Sequence, residues 1–148
     1  MNDSFPRAIE PRSAFPHFLE IPTRWIDNDI YGHVNNVVFY TYFDTVINEY
    51  LISHGGLDIH QGKVIGVAVE SFCQFRQSIE FPDKINAGLR VARLGNSSAR
   101  YEVGLFANLE QEAAAIGYFV HVFVDRDSRQ AVSMPGQIRD ALQSISIS

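Results

Sequence analysis

Cysteine occurs once, at position 73. A lone thiol excludes an internal disulfide framework and suits a reducing compartment, so a soluble cytoplasmic protein is expected. No apolar run approaches the roughly 20 residues of a membrane-spanning helix. The opening MNDSFPRAIEPRSAFPHF also lacks the hydrophobic stretch of a secretion signal. Basic charge is scarce: 12 Lys and Arg stand against 17 Asp and Glu, a net charge of -5. That balance gives no electrostatic footprint for nucleic acid or an anionic membrane. A polyanionic ligand would have to be met by a few local Arg or Lys side chains. The five His and one Cys show no metal-ligand spacing, and no metal site is expected.

What the chain does have is an ordinary globular composition, 46% hydrophobic and 20% charged over 148 residues. One domain spanning 1–148 fits that length and can bury a substantial core. Pro6, Pro11 and Pro16 make residues 1–17 an extended N-terminal arm, expected to pack on a partner subunit. Residues 18–26 read as a first strand. From 37 to 54 apolar positions recur at three- and four-residue steps around more than half the circumference, which predicts an enclosed helix. Thr41, Asp44, Thr45 and Asn48 form its narrow polar strip, and Gly55-Gly56 stops it. Residues 65–81 alternate, with Ile65, Val67, Val69, Cys73, Phe75, Ile79 and Phe81 on one face of a long strand. Further strands are expected at 85–94, 99–108 and 113–124, and a short surface helix within the tail 134–148. One antiparallel sheet covering one very apolar helix is an α+β layout.

The chain is organised around residues 23–54. Asp27 and Asp29 precede Gly32-His33-Val34-Asn35-Asn36, which runs directly into the long helix. Unpaired backbone N–H groups and the positive end of the dipole, equivalent to about half a unit charge, gather at a helix start. A carboxylate beside them suits carbonyl chemistry, since N–H donors stabilise a developing oxyanion. Asn35 or Asn36 is the expected N-cap.

The pattern Trp25-x-Asp27-x-Asp29-x-x-Gly32-His33-Val34-Asn35-Asn36-x-x-Phe39-Tyr40 resembles the signature of hot-dog-fold thioesterases of the 4-hydroxybenzoyl-CoA thioesterase type. Its Asp-x-Asp-x-x-x-His-Val-Asn-Asn portion is shared with the plant acyl-acyl-carrier-protein thioesterases. The resemblance implies a sheet of about five strands wrapped around the helix. It implies hydrolysis of an acyl-CoA to a carboxylic acid and free coenzyme A with no cofactor, and a homodimer or homotetramer with active sites between subunits. By position in the motif, Asp29 is the catalytic carboxylate, as nucleophile or general base, and the backbone N–H of Asn36 polarises the carbonyl. Asp27 is a supporting turn residue. His33 either orients the aspartate or donates to substrate, or else it is satisfied by a backbone carbonyl at the helix entry.

Tyr31 stands where the plant enzymes carry asparagine, so their Asn/His/Cys machinery is not carried over, and Cys73 reads as a buried structural thiol. Glu49 resembles a glutamate the family carries near the helix end. Arg76 and Arg93, with Arg100 and Lys84, are the candidate cations for coenzyme A phosphates. Two other readings keep the same fold: a non-catalytic acyl-thioester sensor, and a 3-hydroxyacyl-thioester dehydratase.

Overall fold

Asn35 starts the long helix α1 (Asn36–Ser53), its side-chain oxygen accepting the N–H of Val37 at 2.9 Å. Such a cap satisfies one of the orphan donors of a helix start and is worth about 1 kcal/mol. The other end stops where Gly56 takes a φ of +69° and the Leu57 N–H turns back to the Leu51 carbonyl. Phe39, Tyr42, Phe43, Val46, Ile47, Tyr50 and Leu51 are buried along α1. At about 1.5 to 3 kcal/mol for a fully buried large apolar side chain, they anchor the helix to the sheet that curves over it.

The computed structural model describes residues 10–147; residues 1–9 of the expected arm lie outside the described residues. Five antiparallel strands, β1 (His17–Pro22), β2 (Val64–Phe75), β3 (Lys84–Leu94), β4 (Ser98–Ala107) and β5 (Ala115–Asp125), form one sheet in the order β1-β3-β4-β5-β2. Strand residues such as Leu89, Tyr101, Val103 and Phe119 face α1 in a common core. The edge strands are β1 and β2.

The first predicted strand is too long. The Thr23 N–H still pairs with the Asp83 carbonyl, but the Asp27 carboxylate accepts the Arg24 N–H at 2.9 Å. That bond winds Trp25–Asp27 into a single 3-10 turn. The long strand expected over 65–81 ends at Phe75, where the N–H groups of Arg76 and Gln77 both turn to the Ala114 carbonyl. Its alternation is also interrupted. A bulge between Ala68 and Glu70 leaves Val69 exposed, and an extra residue shifts every following side chain to the other face. Val64, Gly66 and Ala68 therefore face inward before the bulge, and Ser71 and Cys73 after it. Ile65 and Val67, expected to face inward, do not.

Residues 10–16 lie against the chain's own sheet. Phe15 covers Gly88 and Gly104, which pair across β3 and β4; a Cβ on either glycine would come within 2.9 or 3.0 Å of its ring side chain. Arg90, on the same outer face, is 5% exposed and lies between Glu102 (Nε to Oε1, 2.8 Å) and Glu10 (2.6 and 2.7 Å). Its guanidinium sits 4.7 Å from the centre of the Phe15 ring. A buried charge is tolerated only when paired and hydrogen-bonded in this way. The tail helix α2 (Gly136–Gln143) is not merely superficial: it buries Ile138 and Leu142, and its Ala141 carbonyl accepts the Tyr50 hydroxyl at 2.7 Å.

Candidate active site

The loop between the 3-10 turn and α1 is built around two carboxylates with different surroundings. Asp27 is 1% exposed. Its Oδ1 accepts the Arg24 guanidinium at 2.8 and 3.0 Å, and its Oδ2 accepts the Tyr42 hydroxyl at 2.8 Å. Burial pushes its pKa up, but the Arg24 backbone, the Arg24 side chain and the Tyr42 hydroxyl together hold it below the ordinary value. The same pairing, with burial as the larger cause, pushes the Tyr42 phenol up. Asp27 is thus a fixed anion that ties the loop to α1. Its carbonyl accepts the Asn35 N–H at 3.1 Å and so sets the position of the helix cap.

Asp29 is half-buried at the helix mouth. Its N–H donates to the His33 carbonyl and its carbonyl accepts the Gly32 N–H, closing a tight loop in which Gly32 takes a φ of +83°. That left-handed conformation favours glycine. One carboxylate oxygen accepts the Tyr31 N–H at 2.9 Å and the other the Asn35 side-chain amide at 3.3 Å. Asn35 therefore works in two directions, capping the helix with its oxygen and holding Asp29 with its nitrogen. Asn36 is the first helical residue, exposed, and among the described residues no acceptor takes its N–H. The Asn35 side chain thus ties the Asp29 carboxylate to the start of α1. The side chain of His33 does not join them; its Nε2 lies 3.9 Å from Glu80 on the exposed side of the loop.

Two grooves reach the start of α1, one at Asn35 and the other at Val37. One, of about 690 Å³, is lined by Trp25, Ile26, Ile30 and Tyr31 together with Asp29 and Asn35. The other, of about 710 Å³, runs along α1 past Val37, Tyr40, Thr41 and Asp44, with Val69 and Ser71 of β2 opposite. The polar strip of α1 thus lines a groove, a role that the helical spacing alone does not assign. Cys73 is a free, half-buried thiol. Burial raises its pKa, opposed by a hydrogen bond with the Tyr40 hydroxyl, so it has the character of a structural thiol.

The candidate phosphate ligands are dispersed. Arg76 leaves the end of β2 and donates to the Gln74 side chain at 2.8 Å. Arg93 pairs with Arg100 across β3 and β4, in the row that continues through Val120 to Glu70. The Arg76 N–H is level with Ala114, six strand residues from Val120, or roughly 20 Å at the strand rise. Lys84 faces Glu20 at 3.8 Å, and Glu49 lies 3.7 Å from His17. Among the described residues no helix is long and apolar enough to cross a membrane, and no three His, Cys, Asp or Glu side chains converge as a metal site would require.

An antiparallel five-stranded sheet wrapped around one long helix, with the acidic loop at the helix start, is the hot-dog fold. Residues 22–142 match the model of the thioesterase-like superfamily, and the chain belongs to that family. It is similar to the PA5185 protein of Pseudomonas aeruginosa strain PAO1, 53% identical with a TM-score of 0.92 over 94% of this chain and 97% of that one. It is also similar to a Thermus thermophilus thioesterase crystallised with coenzyme A and Zn, 29% identical with a TM-score of 0.73, covering 87% of this chain and 98% of that one. Bacillus subtilis (strain 168) YsmA, an uncharacterized protein, is 26% identical over 133 residues, 90% of this chain and 89% of the relative.

Proposed function

We propose that the protein is an acyl-CoA thioesterase of the 4-hydroxybenzoyl-CoA thioesterase type, hydrolysing an acyl-CoA to a carboxylic acid and free coenzyme A. The observation that carries this reading is the Asp29 carboxylate, held by the Tyr31 N–H and the Asn35 amide beside the unpartnered N–H of Asn36. The coenzyme A bound by the T. thermophilus relative supports the substrate class. The acyl group takes one of the two grooves and the pantetheine arm the other.

A thioester carbonyl placed with its oxygen on the Asn36 N–H has its carbon exposed to Asp29. Acting as general base, Asp29 takes a proton from water while the water oxygen bonds to the carbonyl carbon and the π pair moves onto the carbonyl oxygen. The N–H, reinforced by the helix dipole, stabilises that oxyanion. Collapse expels the thiolate, which recovers the proton from Asp29. Acting as nucleophile, Asp29 instead forms a mixed anhydride with loss of the thiolate, and water then cleaves the anhydride. Both routes end in acid and thiol and need no cofactor.

The free edge of β2 is the natural seat for a second copy, so the functional unit is a homodimer or homotetramer with sites at the subunit interface. Action in the cytoplasm agrees with the single Cys73. The test is thiol release from short, long, branched and aromatic acyl-CoA substrates by the protein and by Asp29→Asn. Loss of at least about 10²-fold in kcat with unchanged thermal unfolding is expected from removing an acid–base group. Equal turnover by a folded Asp29→Asn protein refutes the assignment.

A further inference from the structure

We infer that the outer face of the sheet carries a phosphate-ester site centred on Arg93 and Arg100, which shares Glu70 with the groove along α1. A cavity of about 310 Å³ lies there, lined by Arg93 of β3, Ser98 and Arg100 of β4, Val120 of β5 and Glu70 of β2. Arg93 and Arg100 are direct cross-strand partners. Like charges directly opposite each other are destabilising in a sheet, and the chain bears that cost where any neutral residue would remove it. A dianionic oxygen cluster between the two guanidinium groups turns the repulsion into charge-assisted hydrogen bonds.

The carboxylates nearby are engaged elsewhere. Glu102 accepts Arg90 through Oε1 at 2.7 and 2.8 Å, and its other oxygen lies 3.9 Å from Arg100 Nε. Glu70 accepts the Tyr118 hydroxyl at 2.7 Å. The Arg100 guanidinium lies 3.8 Å from the centre of the Tyr118 ring, which fixes its position. Arg93 has no hydrogen bond or ion pair among the described residues, and neither does the Ser98 hydroxyl. The cavity therefore offers one fixed cation, one unmet cation and a hydroxyl donor around an apolar floor at Val120, with Glu70 on its rim and Glu102 beside Arg100 as the opposing charges.

Two sources present this chemistry: the nucleotide end of a coenzyme A substrate, or a free nucleotide bound as an effector. Assigning the phosphate to the substrate rests on the thioesterase reading; the binding site itself does not. The probe is adenosine 3′,5′-bisphosphate, titrated calorimetrically at low and at 0.5 M salt against the full chain, with adenosine as control. The expected result is salt-sensitive binding of the bisphosphate alone, weakened about tenfold or more in Arg93→Ala and tightened in Glu70→Gln. These opposite shifts cannot both arise from loss of fold, and thermal unfolding of each variant is measured alongside. No binding to the unmodified protein, or binding that neither substitution changes, overturns the proposal. The source is then read from kinetics. A KM raised by Arg93→Ala for an acyl-CoA but not for the same acyl group on pantetheine identifies the substrate's own nucleotide. An unchanged KM together with weakened bisphosphate binding identifies a separate nucleotide. If no thioester is hydrolysed while the titration succeeds, the proposed reaction fails and the phosphate site stands.

Discussion

Replacing Asn35 by Asp separates the two tasks of that side chain. The cap survives, because a carboxylate oxygen can accept the Val37 N–H as the amide oxygen does, and negative charge at a helix start is favourable. The bond to Asp29, 3.3 Å from the amide nitrogen, is replaced by two carboxylates at the same spacing. Two like charges about 4 Å apart repel by about 1 kcal/mol in bulk water and about 4 kcal/mol near a protein surface. A hydrogen bond to a charged group, worth about 1.5 to 3 kcal/mol, is lost as well. Both effects oppose ionising the two carboxylates together, so the pair should retain a proton to higher pH than a single carboxylate does. The acidic limb of kcat/KM in the thiol-release assay should move up accordingly, while the unfolding temperature at pH 8 stays within a few degrees of the parent. Asn35→Ser keeps a cap but is too short to reach Asp29, so it should reduce kcat without the added repulsion. An unshifted acidic limb in folded Asn35→Asp would mean that Asn35 is not coupled to the carboxylate proposed to react.

His121 is 3% exposed and its Nδ1 has no hydrogen-bond partner among the described residues; burial pushes its pKa from 6.5 down to about 4. Between those values the unfolded chain binds a proton that the folded one refuses, so stability is lost as the pH drops from 6.5 towards 4, by up to about 3 kcal/mol. Urea unfolding of His121→Phe should show a pH 7 to pH 5 stability difference about 2 kcal/mol smaller than the parent's. The Tyr101 hydroxyl is buried without a partner against His121, the two rings 4.9 Å apart. Tyr101→Phe should therefore be neutral or stabilising by up to about 1 kcal/mol in the same experiment, because it removes a polar group that folding leaves unpaired. Glu102→Ala leaves Arg90 buried with Glu10 as its one carboxylate partner among the described residues, and should cost about 3 kcal/mol of unfolding free energy.

The helix and three of the strands could be read from the chain because their signals are local. Apolar spacing sets α1, and turns at Gly95 and Asn108 bound β4. The face of β2 could not be read in the same way: the bulge at Val69 is a tertiary choice with no composition of its own, so alternation that looked continuous reversed halfway. The strand end at Phe75 was hidden for a related reason, as it depends on a carbonyl of Ala114 about forty residues away. At the site, the motif singled out Asp29 and Asn36 as candidates, and the structure adds what surrounds Asp29, the Tyr31 N–H and the Asn35 amide. The Tyr42 hydroxyl on Asp27 links residues fifteen positions apart, and only the folded chain shows it. The pairing of Arg93 with Arg100 likewise depends on a β3–β4 register that a list of basic residues does not contain.

Gly88 and Gly104 leave a slot in the sheet that Phe15 fills beside Phe18 and Phe106, and the residues just before it bring Glu10 to Arg90. The leading segment therefore acts as a cork driven in from outside. Trimming the chain past residue 15 would not merely shorten it: the slot would open to water and the guanidinium behind it would lose half its counter-charge. A tag or fusion is best attached ahead of residue 10 or at the far terminus, and a shortened form should aggregate through the unstoppered strands before it loses its helix.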